Sequence, residues 1–108
     1  MSFNLQDDQL AKALKSSSIL QLPDLSVVGG EGAIKVVVSD RKNDTSNEFA
    51  LVVGQTDKEF SFNFKIENIK LIPGSYSVAI SCKNLARFYN TNYKLTYFIA
   101  LEPDSVYS

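Results

Sequence analysis

Phe60-Ser61-Phe62-Asn63-Phe64-Lys65-Ile66 is the stretch on which the fold turns. Apolar and polar side chains alternate through it, and a period of two places the apolar set on one face of an extended chain. The alternation stops between Ile66 and Ile72, and Pro73-Gly74 closes the segment. The spacing thus predicts a strand, then one or two helical turns. Downstream, Tyr76/Val78/Ile80/Cys82 resume the period of two, a short stretch runs from Leu85 to Tyr89, and Tyr93/Leu95/Tyr97/Ile99/Leu101 alternate again.

The same order lies upstream. Ser2 to Leu5 alternates as a short strand. Asp8 to Ser16 is rich in helix formers, and Asp7 and Asp8 suit the positive end of a helix. Steps of about 100° put Leu10, Ala11 and Leu14 on one side, with Lys12 and Lys15 opposite. The run Ser16-Ser17-Ser18 is expected to end this helix. Leu25/Val27 and Ile34/Val36/Val38 flank Gly29-Gly30-Glu31-Gly32, whose glycines can supply the positive φ of a tight hairpin. Arg41 to Asn47 is a polar loop, and Phe49, Leu51 and Val53 make another strand ended by Gly54.

Strand, helix and three strands therefore occur twice. Phe3-Asn4-Leu5 before the first helix echoes Phe64-Lys65-Ile66 before the second. The halves, approximately 1–55 and 56–108, are joined by the turn-length Gln55-Thr56-Asp57-Lys58 and should share one core. The expectation is a single α+β domain spanning 1–108, with both helices on one face of the sheets. Phe60, Phe62, Phe64, Ile66, Tyr93, Tyr97 and Ile99 should face those helices.

The chain has 108 residues, 44% of them hydrophobic, which suits one compact domain. No apolar run approaches the roughly 20 residues that span a bilayer, and no secretory signal pattern opens the chain. A soluble, intracellular protein is expected. With no His, neither a Ser-His-Asp nor a Cys-His arrangement can form. The single cysteine, Cys82, cannot make an internal disulfide, and its phase with Ile80 reads as a core thiol. Asp7-Asp8 and Glu102/Asp104 lack metal-ligand spacing, and the glycine run precedes a strand where a phosphate loop would precede a helix. No catalytic, cofactor or metal site is expected, and the protein is not read as an enzyme.

Net charge is −1, so the surface cannot be basic throughout. Lys12 and Lys15 share one helix face, while Lys65 and Lys70 bracket the second helical segment. They form either ordinary solvated surface or a local positive strip aimed at a polyanion.

Phe62-Asn63-Phe64-x-Ile66-x-Asn68-x-Lys70-x-x-Pro73-Gly74-x-Tyr76 resembles a segment of the sliding clamps of T-even-type bacteriophages, the polymerase processivity factors. Tyr97-x-x-Ala100-Leu101-Glu102-x-Asp104-Ser105 resembles the C-terminus of the same family, and the N-terminal helix is similar in pattern. The resemblance spans nearly the whole chain and corresponds to the second domain of a two-domain clamp. It implies a clamp-type domain of two βαβββ units, and a homo-oligomer or a partner domain to complete a ring. It further implies that Lys12, Lys15, Lys65 and Lys70 face the backbone of duplex DNA. On its outer surface, Phe98, Ala100, Leu101 and Pro103 would form a pocket for a peptide of the replicative polymerase or a clamp-loader-type protein. The setting implied is the cytoplasm of a phage-infected bacterium. The alternative is a non-enzymatic interaction module that keeps the fold without encircling DNA.

Overall fold

The computed structural model describes residues 2–40, 48–69, 71–81, 85–103 and 105–107, with Val106 and Tyr107 described by their backbone. The elements are β1 (Ser2–Leu5), α1 (Asp7–Leu20), β2 (Asp24–Gly30), β3 (Ala33–Ser39), β4 (Phe49–Gln55) and β5 (Phe60–Lys65). A 3₁₀ turn (Ile66–Asn68) follows, then β6 (Tyr76–Ser81), β7 (Leu85–Asn90), β8 (Leu95–Ala100) and β9 (Val106–Tyr107). Two antiparallel sheets result, ordered β1-β6-β7-β8 and β4-β3-β2-β5-β9. The architecture is the α+β fold expected, with two sheets and one α-helix among the described residues.

The sheets exchange strands. β1 pairs with β6, and β5 pairs with β2, so each half supplies the first strand of its own order to the other half's sheet. Leu5 lies opposite Tyr76 and Phe64 opposite Leu25, each two residues before the following helix or turn begins. Leu5 is thus the counterpart of Phe64, two residues from the alignment that the sequence echo suggested.

The period of two decides what is buried. Phe3 and Leu5, Leu25 and Val27, Ile34/Val36/Val38, Phe60/Phe62/Phe64, Tyr76/Val78/Ile80 and Ala86/Phe88 all enter one core with Leu10 and Ala13 of α1. Phe88 sits edge-on to Phe64 and to Tyr76, with centroids 6.1 and 6.4 Å apart, an arrangement the ring quadrupoles favour. The β2–β3 hairpin turns at Glu31 and Gly32, with φ of 54° and 82°. Two positive φ values in a two-residue loop match the right-handed twist of the flanking strands.

Several expectations need correction. The serine run does not end α1, which continues to Leu20 and stops at Gln21 in the left-handed conformation (φ 54°). Ser17 is buried, and its Oγ donates to the Leu22 carbonyl at 2.8 Å, so the hydroxyl stays in the helix without cost to the core. The buried stripe is Leu10, Ala13 and Ser17, and Ala11 is exposed.

The second helix is a single 3₁₀ turn, closed by Ile69 N–H donating to Ile66 O at 2.9 Å. Seven residues before Pro73, three of them β-branched isoleucines, are too few to repay helix nucleation. Ile66 is only half-buried, because the extended alternation ends at Lys65. Tyr93 lies in the turn before β8 and is 66% exposed, and Leu95 is 45% exposed on that edge strand. The place expected for Cys82 lies outside the described residues.

Candidate functional site

α1 packs on β3 and β4 through its buried stripe. Its first turn carries Asp7 and Asp8, and the Gln6 N–H donates to Gln9 Oε1 at 2.9 Å, fixing the start of the helix and hence its rotation. With Leu10 and Ala13 held inward, Lys12 and Lys15 must point away from the core, and both are exposed.

Lys65 has a different environment. It closes β5 directly opposite Asp24, and its amine lies 3.4 Å from Asp24 Oδ1 and 4.0 Å from Glu102 Oε1. The Asp24 side chain is only 2% exposed, so the ammonium is the counter-charge of a buried carboxylate. Lys70 lies outside the described residues. The structure therefore groups Lys12 with Lys15 and commits Lys65 to Asp24 and Glu102.

The second expected surface lies on the outer face of the sheet led by β1. Phe98 is 64% exposed on β8, and Ala100 shares its face. Across the ladder, Phe98 faces Arg87, Arg87 faces Ala79, and Ala79 faces Ser2. One row over, Ala100 faces Leu85, which faces Ser81. Ser2, Ala79, Ser81, Leu85, Arg87 and Phe98 line a shallow groove of about 300 Å³.

Leu101 does not join this surface. It is buried in the core, because the chain bends inward after β8 to run along β5. Pro103 is exposed beyond the strand.

Leu85 and Arg87 do not stand out in the sequence. Residues 85–89 carry no clean apolar alternation, so only the pairing with β6 and β8 reveals which of them face outward.

The C-terminal segment is a strap. Glu102 N–H donates to Asn63 O at 2.7 Å, Asn63 N–H donates to Ser105 Oγ at 2.9 Å, and β9 pairs with β5. Asn63 is buried beneath it, and its Oδ1 accepts from Ser26 Oγ at 2.7 Å.

Among the described residues no three metal-ligating side chains cluster, and no helix is long and apolar enough to cross a membrane. Among the described residues, Tyr76 is a group whose ionisation is displaced. Burial pushes its phenol above the ordinary value, the nearby Asn90 amide opposes this, and its Oη donates to Ile72 O at 2.5 Å.

The described residues thus form two strand-exchanged antiparallel sheets, one helix with exposed lysines and an apolar groove on an outer sheet face. Residues 2–103 match the family described as gp45 sliding clamp, C terminal. The sliding clamp of Vibrio phage KVP40 is 33% identical over 104 residues, covering 93% of this chain and 46% of that protein. The sliding clamp of Enterobacteria phage T4 is 29% identical over 111 residues, covering 95% of this chain and 48% of that protein. The chain belongs to the gp45 sliding clamp C-terminal family and spans about half the length of these curated relatives.

Proposed function

We propose that this chain works as a sliding-clamp domain, a non-enzymatic part of a DNA polymerase processivity factor in the cytoplasm of a phage-infected cell. Joined to further copies or to a partner domain, it closes a ring around duplex DNA and tethers the replicative polymerase and clamp-loader-type proteins. The match of residues 2–103 to the clamp family carries this reading. The exposed Lys12 and Lys15 agree with it, since a loose positive lining attracts phosphates without reading sequence. Lys65 and Lys70 are secondary members of that lining, because the Lys65 amine already serves Asp24. The Phe98–Ala100 face is the proposed seat of a partner peptide, with Pro103 at its margin and Leu101 bracing the strand from within. No cofactor, metal or membrane takes part.

Closure uses sheet edges. β4 and β8 end their sheets, and an unpaired edge recruits a strand of another subunit. Light scattering on the purified chain should report a homo-oligomer. Retention on nicked circular DNA should then fall in the variant Lys12→Glu/Lys15→Glu, whose circular dichroism spectrum stays native. The slope of log affinity against log salt should shallow by about one unit for each phosphate no longer neutralised. Unchanged DNA retention in that variant refutes the lining. A monomer at high micromolar concentration favours an interaction module that keeps the fold without encircling DNA.

A further inference from the structure

The strand exchange makes the outer faces of the two sheets comparable residue by residue. Val28 pairs with Lys35 and Ser61, and Lys35 with Val52. In the other sheet Ala79 pairs with Arg87 and Ser2, and Arg87 with Phe98. In these rows each face sets one cation beside one exposed apolar side chain on the edge strand, Val52 at 56% and Phe98 at 64% exposure.

The charges around the two cations differ. The groove at Lys35, about 450 Å³, is also lined by Glu31 and Glu59. At the Phe98 groove, Arg87 is the only charged side chain among the described residues that line it. The Arg87 side chain is exposed and makes no ion pair or hydrogen bond with a described residue.

We propose that Arg87 is a specificity-determining residue of the outer groove, capturing a carboxylate of an extended peptide whose apolar side chain sits among Ala79, Leu85 and Phe98. The proposal rests on the docking role assigned above to the Phe98 face and adds the charge that the occupant must carry. Arg87 and Phe98 are directly opposed on one face, with Cβ atoms about 5 Å apart. An extended peptide shows alternate residues to one face, spaced about 7 Å. The carboxylate therefore belongs two residues from the apolar anchor. A guanidinium offers that carboxylate a planar fork of donors, which sets orientation as well as attraction. Lys35 does not duplicate the site, because Glu31 and Glu59 line its groove and repel an anion.

The test is a chemical-shift titration of the ¹⁵N-labelled full chain with acetyl-Gly-Ser-Asp-Ser-Leu-Ser-Gly-amide and with its Asp-to-Asn analogue. The blocked termini leave one carboxylate in the probe. Shifts should concentrate on β7 and β8, and the Asn analogue should bind about fivefold more weakly, the factor an exposed ion pair supplies at the strong end of its range. Arg87→Ala should bring the Asp peptide down to the affinity of the Asn peptide and leave the latter unchanged. Phe98→Ala should weaken both peptides equally, and Lys35→Glu should alter neither. Equal binding of the two peptides to the wild-type chain, with Phe98→Ala still weakening both, overturns the role of Arg87 and leaves the docking role standing. Equal weakening of both peptides by Arg87→Ala also overturns it, since that is the mark of packing. No shifts with either peptide at millimolar concentration overturns both.

Discussion

Asp24 is a carboxylate almost wholly removed from water at the first position of β2, a placement that requires compensation. Lys65 supplies it across the strand exchange, so one ion pair ties the two halves at the end of the β2–β5 ladder. Lys65→Met should lower stability by about 1–2 kcal/mol, less than for a sealed pair because the ammonium is partly exposed. The double variant Asp24→Asn/Lys65→Met should lose less than the sum of the single losses, as urea midpoints will show. Tyr76 gives a second reading at this scale. Its phenol titrates above the ordinary value in the folded chain, so between the unfolded and folded values the native state holds the extra proton. Its contribution is complete below about pH 10 and is lost as pH rises through the folded value. Thermal melts should therefore weaken at alkaline pH, and Tyr76→Phe should flatten that slope while losing the hydrogen bond to Ile72. Neither feature could be read from the sequence. Asp24 and Lys65 are 41 residues apart along the chain, and nothing in either neighbourhood announces the other.

Strands β2, β3 and β5 were legible as elements because large apolar residues recur at alternate inward positions, with small or polar outward neighbours apart from Val28 and Val37. Phe60/Phe62/Phe64 is the clearest case, with every aromatic buried. The helix boundaries were less legible because three serines resemble a breaker, whereas Ser17 Oγ finds a tertiary acceptor at Leu22 O. Of the candidate sites, Lys12, Lys15, Phe98 and Ala100 are exposed, as periodicity alone requires. Arg87 and Leu85 needed the ladder register, and Leu101 escapes a reading by alternation because the period of two does not continue past the end of β8. The true end of α1 supports a prediction. Gln21 adopts φ 54°, ψ 47°, where its Cβ crowds the backbone, and its N–H donates to Ser17 O. Gln21→Gly keeps that bond and relieves the crowding, so stability should rise by about 0.5–1 kcal/mol, read as a higher melting temperature. Gln21→Val, branched at Cβ, should lower it.

The whole molecule is held together by exchange rather than by two side-by-side folding units. β1 completes a sheet whose other strands all come from the second half, and β5, with β9 beyond it, joins a sheet whose strands β2, β3 and β4 come from the first. Removing either half strips the other of an inner-face strand: Phe3 and Leu5 in one case, Phe60, Phe62 and Phe64 in the other. A fragment of about 55 residues deprived of such a strand exposes its core and an unpaired edge, and at that size the remaining burial does not offset chain entropy. Fragments 1–55 and 56–108 should therefore each be unfolded or self-associated when alone. The cut falls in the Thr56–Glu59 connection, between the last residues of β4 and the first of β5, so no ladder hydrogen bond is severed. Mixed in equal amounts, the fragments should regain a dispersed amide spectrum as a 1:1 complex. That outcome would establish the chain as one domain built of two interlocked repeats divided near residue 55. Light scattering separates it from the self-pairing of one fragment, in which a second copy of the same repeat stands in for the missing half. A monomeric, well-dispersed spectrum from either fragment alone would show that the exchanged strands are dispensable, and would overturn the single-domain reading.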